Sequence, residues 1–178
     1  MDPVLGYLLI QEWKKDEKMK RKQELLKLAK DSFVAKDVSR KIGGVLIYNQ
    51  VVEELLKEVI LCSASCIKVQ IHPNVFTPDI NFEKSTFGYL IKLFKQYAIY
   101  KNGRDDLLTH LKILNEERNV IVHELFELNF EELEVKLDHY SQVVVDVITK
   151  LMSYYQEICE ELNVISERFD FEVVNESY

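Results

Sequence analysis

Apolar residues recur every three or four positions along most of this chain, with polar residues filling the intervals, which is the periodicity of amphipathic helices. Asp2-Pro3 reads as an N-cap followed by proline at the first helical position. Leu5, Leu8, Leu9 and Trp13 then form one apolar face. From Lys14 to Glu24 only Met19 is apolar, so this part of the first helix is expected to project into water before Leu25, Leu26, Ala29 and Phe33 resume the stripe.

Asp37 is placed to cap a second helix, in which Val38, Ile42, Val45, Val52, Leu55, Leu56 and Val59 keep helical spacing. Gly43-Gly44 interrupts that pattern at a cost of roughly 1 kcal/mol per glycine, so either a bend or a close backbone approach is expected there. Ile71 to Asn81, with Pro73, Asn74, Pro78 and Asp79, reads as a long loop. A third helix carries Phe87, Leu90, Ile91, Phe94 and Tyr97 and is expected to stop at Asn102-Gly103. The fourth spans about Asp105 to Phe126. Asn129 followed by Glu132 resembles a capping box that opens the fifth. In that helix Leu133, Leu137, Tyr140, Val144, Ile148, Leu151, Tyr155, Ile158, Leu162 and Ile165 form a stripe roughly 50 Å long. A stripe of that length calls for a second layer or a second subunit to cover it.

The architecture this predicts is all-α: an up-and-down bundle of about five helices with long first and last members, in one domain over residues 1–169, followed by a C-terminal tail at 170–178. Only five Gly and three Pro argue against a sandwich or barrel with many tight hairpins. The longest early apolar run, Val4 to Ile10, is broken by Gly6 and has neither a basic region before it nor a small-residue cleavage site after it. No signal peptide and no membrane span are expected. Three cysteines without a secretory signal point to a reducing cytoplasm. Cys62 and Cys66 lie one turn apart, but a structural zinc needs four ligands and no second pair has suitable spacing, so they are read as small core residues.

Charge divides the chain. Residues 1–104 hold 18 Lys and Arg against 12 Asp and Glu, whereas residues 105–178 hold 5 against 18. The densest basic run, Lys14, Lys15, Lys18, Lys20, Arg21 and Lys22, could attract nucleic acid or an acidic surface, but Asp16, Glu17 and Glu24 among it favour a solvated helix face.

The chemistry-bearing stretch is Arg118-Asn119-Val120-Ile121-Val122-His123 in the fourth helix. Leu107, Leu111, Leu114, Arg118, Ile121 and Leu125 are spaced 4, 3, 4, 3 and 4, so Arg118 occupies a stripe position where leucine is expected. A guanidinium there must be paired or lie at the mouth of a cleft, and Glu53 or Glu54 on the second helix is a candidate partner. Asn119 and His123 are one turn apart, where the amide can fix the imidazole tautomer. Arg118 and His123 differ by about 140° around a straight helix, so they converge only through a long reach, a distortion or a second subunit. His72, His110 and His139 have no usable partner spacing and are read as surface or core residues.

This stretch resembles the motif of the HEPN superfamily, small helical domains marked by an Arg, four to six residues and a His. The resemblance extends loosely from Ile42 to Ile158, taking in Glu53-Glu54-Leu55-Leu56 and Phe87-Gly88-Tyr89-Leu90-Ile91. It implies a metal-independent endoribonuclease, without cofactor, of a toxin or phage-defence kind. Such an enzyme acts as a homodimer, takes RNA as substrate, is held by an antitoxin-like protein partner and leaves 2′,3′-cyclic phosphate ends. In that reading His123 is the base, Arg118 stabilises the phosphoryl charge and Asn119 orients. The alternatives are a catalytically silent helical module holding a dimer or partner interface, and an accidental motif in which Arg118 pairs with a glutamate. The motif lies in the acidic half, beside Glu116, Glu117, Glu124 and Glu127, so a phosphate track would have to come from the first helix or from Lys92, Lys95 and Lys101.

Overall fold

The computed structural model describes the backbone of residues 3–35, 37–71, 80–83, 85–99, 102–124 and 127–175. Side chains are described between residues 17 and 165 of these, except Met19, Val69, Ile71 and Glu124. The Asp2 cap, the Leu5–Trp13 face, Lys14, Lys15, the 72–79 part of the loop with His72, Lys101, Leu125, Phe126 and residues 176–178 lie outside them.

Five helices form the described chain: α1 (Pro3–Val34), α2 (Val38–Ile71), α3 (Phe87–Tyr97), α4 (Arg104–Glu124) and α5 (Phe130–Asn175). No strand occurs among the described residues. Each helix packs on its neighbour in sequence, and α2 against α5 closes the bundle with the most extensive interface. This is the expected all-α, up-and-down arrangement, and α2 and α5 form its spine. At 46 residues α5 is about 69 Å long, longer than its apolar stripe, and it continues to Asn175 through the start of the segment read as a tail.

The termini follow local chemistry. The Asp37 carboxylate accepts from the Ser39 N–H at 2.9 Å, capping α2 as anticipated. Asn129 and Glu132 form a reciprocal capping box, the Asn129 side chain accepting from Glu132 N–H at 3.0 Å and the Glu132 carboxylate from Asn129 N–H at 3.3 Å. Thr86 caps α3 by accepting from Tyr89 N–H.

α3 ends sooner than Asn102-Gly103 predicts, because Ala98 turns extended at ψ 121°. Gly103, at φ +87°, instead serves the turn into α4. The Arg104 guanidinium then donates back to the carbonyls of Lys95 at 2.7 Å and Ala98 at 3.2 Å, satisfying the exposed end of α3 from the start of α4.

The core is the one the periodicity describes. Val52, Leu56 and Val59 of α2, Leu107, Leu111 and Leu114 of α4, and Leu137, Tyr140, Val144, Leu151 and Ile158 of α5 are buried. All five α3 positions named above are buried as well. Gly43-Gly44 lies within continuous α2 helix, and the close neighbour is α1. A Cβ on Gly44 would stand 2.7 Å from the Phe33 ring and 3.2 Å from Ser32 Cβ, whereas one on Gly43 would meet nothing within 4 Å. The small residue at 44 therefore lets the end of α1 settle on α2, where Phe33 and Tyr48 stack with ring centroids 5.6 Å apart.

The basic stretch of α1 only partly matches the expected solvated face. Lys20 and Arg21 are exposed. Lys22, however, is buried against α2 and pairs with Glu58. Lys18 reaches the same carboxylate at 2.9 Å. Among the described residues of this run, the structure thus corrects the expectation of a water-facing stretch at Lys22 alone. Long side chains lay their stems on α2 and bring their charges to its glutamates.

Candidate functional site

Arg118 lies in the α4 stripe as its spacing requires, between Leu114, fully buried, and Ile121, 3% exposed. Its guanidinium is not sealed in. The side chain retains 32% of its exposure, and Nη2 stands 3.8 Å from Glu53 Oε1 on α2. Of the two candidate partners, Glu53 faces α4. Glu54 turns toward α1 and is engaged by Lys57 at 2.8 Å and Lys18 at 3.7 Å.

Beneath this pair lies a buried polar contact between α2 and α5. The Tyr140 hydroxyl, with no exposed surface, donates to Asn49 Oδ1 at 2.6 Å. Burial holds the Tyr140 phenol far above its ordinary range, with Arg118 and Glu53 acting on it in opposite directions. Arg118, Glu53, Tyr140 and Asn49 therefore form one cluster where α2, α4 and α5 meet. The sequence pointed to the first two. The Tyr140 hydroxyl was hidden because an aromatic in an apolar stripe reads as core.

Asn119 and His123 sit on the exposed side of the same helix. Neither side chain hydrogen-bonds or ion-pairs with another described residue, so the anticipated Asn119–His123 bond that would fix the tautomer is not formed. The physical reason is exposure, since water satisfies both groups as well as they would satisfy each other. Val122 beside them is 53% exposed. One chain thus turns Arg118 toward α2 while presenting Asn119 and His123 to solvent, as the 140° offset requires.

The surrounding field is acidic. Glu117 lies 3.6 Å from His139 on α5. Lys92 and Lys95 are exposed on α3, but Lys18 and Lys22 are spoken for by α2 carboxylates. The first helix therefore offers less cationic surface than its composition suggests.

A second charged cluster joins α4 to α5. Lys150 Nζ contacts Asp106 at 2.6 Å and Asp146 at 3.4 Å. His110 lies between the same two carboxylates, at 3.3 and 3.4 Å. The hydrogen bond from Lys150 is the main reason that the Asp106 carboxyl is held below its usual range, and the same bond raises Lys150. His110 therefore has partners that sequence reading missed. The signal was present as two i,i+4 pairs, Asp106–His110 and Asp146–Lys150, but on helices whose facing was unknown.

Among the described residues no three His, Cys, Asp or Glu side chains come together to hold a metal ion, and no helix is long and apolar enough to cross a membrane. Comparison of the chain with protein-family models, with curated proteins and with solved structures finds no match in any of the three. What stands on its own geometry is an all-α bundle with a half-open arginine at its three-helix seam.

Proposed function

We propose that this bundle is a metal-independent endoribonuclease of the HEPN kind, working as a homodimer whose α4 helices meet over RNA. The observation that carries this reading is Arg118. It interrupts a buried leucine stripe yet keeps a third of its surface open, held among the described residues by one long contact to Glu53. An arginine retained at that position for packing alone would be sealed or replaced by an apolar residue.

Catalysis in this reading needs one His123 neutral and the partner's His123 protonated. The neutral His123 takes the proton from a ribose 2′-OH, the oxygen attacks the adjacent phosphorus, and the 5′-oxygen leaves with a proton from the partner's His123. Arg118 meets the charge that grows on the phosphoryl oxygens, and Asn119 orients the substrate. The second copy supplies the convergence that a single straight helix denies. The biological role is that of a toxin or phage-defence component held by an antitoxin-like partner.

A second reading, an accidental motif in which Arg118 pairs with a glutamate, is supported by the Arg118–Glu53 contact, which already meets part of the arginine's charge within the chain. RNA cleavage in excess EDTA separates the two. The enzyme reading expects cleavage by the native chain and a loss of at least about 100-fold in both His123→Ala and Arg118→Ala. Equal cleavage by all three proteins, or none by any, removes it.

A further inference from the structure

The fold brings together two cysteines that lie 97 residues apart in sequence. Cys62 Sγ on α2 stands 3.7 Å from Cys159 Sγ on α5, across the most extensive interface of the bundle. Both residues are half-buried, so a small reagent can reach them. Cys66, one turn along α2, is fully buried and directs its sulfur to the Ile158 carbonyl at 3.8 Å. Tyr155 lies against the pair. Burial first, then a hydrogen bond with Cys159, hold its phenol above the ordinary range.

We propose that Cys62 and Cys159 form a reversible intramolecular disulfide, a redox-responsive modification site that locks α2 to α5. A disulfide is about 2.05 Å long, so the two sulfurs must close by under 2 Å, within reach of side-chain rotation. The oxidant is a low-molecular-weight disulfide such as oxidised glutathione. The thiolate of one cysteine attacks it, forming a mixed disulfide and releasing one glutathione thiol. The thiolate of the other cysteine then attacks the protein-bound sulfur, forming the Cys62–Cys159 bond and releasing the second glutathione thiol. Each cysteine gives up one proton, and the two electrons pass to the glutathione. Reduced glutathione in excess runs the two exchanges backwards. The bond closes a long loop, so its main effect is to restrict the unfolded chain and stiffen the α2–α5 spine.

The test uses the whole chain incubated with oxidised glutathione, unfolded in an alkylating agent and mapped by mass spectrometry. The expected result is a chain with no covalent link to another and one thiol left to alkylate, a cross-linked peptide pair containing Cys62 and Cys159, and a Tm roughly 5–15 °C above the reduced protein. Reduced glutathione restores all three thiols and the lower Tm. Cys66→Ser keeps the cross-link, while Cys62→Ser and Cys159→Ser abolish it. Three alkylated thiols after oxidation, stable glutathione adducts without a bridge, a link through Cys66 or a link between chains each overturn the proposal. Because the mapping is made on the native chain, a variant that folds poorly does not blunt it.

Discussion

The Arg118 guanidinium and the Glu53 carboxylate face each other at 3.8 Å, each keeping about a quarter to a third of its exposure. At that distance and exposure the pair contributes only about 0–1 kcal/mol to stability, so it restrains Arg118 rather than anchoring the fold. Glu53→Gln is therefore expected to shift Tm by no more than about 3 °C. If Arg118 works on phosphate, the same change frees it. RNA affinity then rises about 3–10-fold in a binding titration, and Arg118→Ala removes the gain. An unchanged affinity in Glu53→Gln counts against a phosphate-binding role for Arg118.

The Tyr140–Asn49 hydrogen bond belongs to stability. Tyr140→Phe leaves the ring in place and deprives the buried Asn49 carbonyl oxygen of its donor. A loss of about 1–3 kcal/mol is expected in urea unfolding, with an unchanged m-value. A neutral outcome would mean that water enters beside Asn49.

Lys41 ties α2 to α5 by a different device. Its Nζ reaches Glu134 at 2.8 Å and Asp138 at 2.7 Å while the lysine itself is 5% exposed. Burial works against its charge, but the hydrogen bonds that it donates to Asp138 and Glu134 prevail and raise it above its ordinary value. A raised lysine contributes stability in full below its unfolded value and loses it as pH rises through the folded one. Lys41→Met should cost about 1–3 kcal/mol near neutrality, because the abandoned carboxylates are half-exposed and rehydrate. Thermal melts across pH 8 to about 12 should show the difference between native chain and variant shrinking at the alkaline end.

The two adjacent glycines of α2 should respond in opposite directions. Gly43→Ala meets open space and removes backbone entropy from the unfolded chain, so a gain of up to about 1 kcal/mol is expected. Gly44→Ala drives a methyl into the Phe33 ring and Ser32, and a loss of about 1–3 kcal/mol is expected as α1 is pushed off α2. Denaturant melts of the two variants against the native chain check the pair.

Helical periodicity made the bundle legible, because burying one face of each helix is a local property of the pattern. The Asn129–Glu132 box and the Asp37 cap were legible for the same reason. Pairings across helices were not. Lys22 with Glu58, Cys62 with Cys159 and Lys150 with Asp106 depend on how faces are turned toward one another, which spacing within one helix does not encode. At the candidate site the sequence located Arg118 as an anomaly and offered Glu53 or Glu54 as its partner, and only packing chose between adjacent residues that point to different neighbours. The Asn119–His123 bond failed because spacing brings two groups within reach without excluding the water that competes for them.

RNA cleavage through Arg118 and His123 leaves its signature in the chemistry of the product. A single-stranded RNA and its counterpart with 2′-deoxyribose at every position are incubated with the native chain in excess EDTA, and the ends are read by mass spectrometry. The expected products are 2′,3′-cyclic phosphate ends from the RNA, with no cleavage of the deoxy strand and loss of the product in His123→Ala. Cleavage that spares neither strand, or that persists in His123→Ala, would contradict this mechanism, as would an RNA left intact by the native chain.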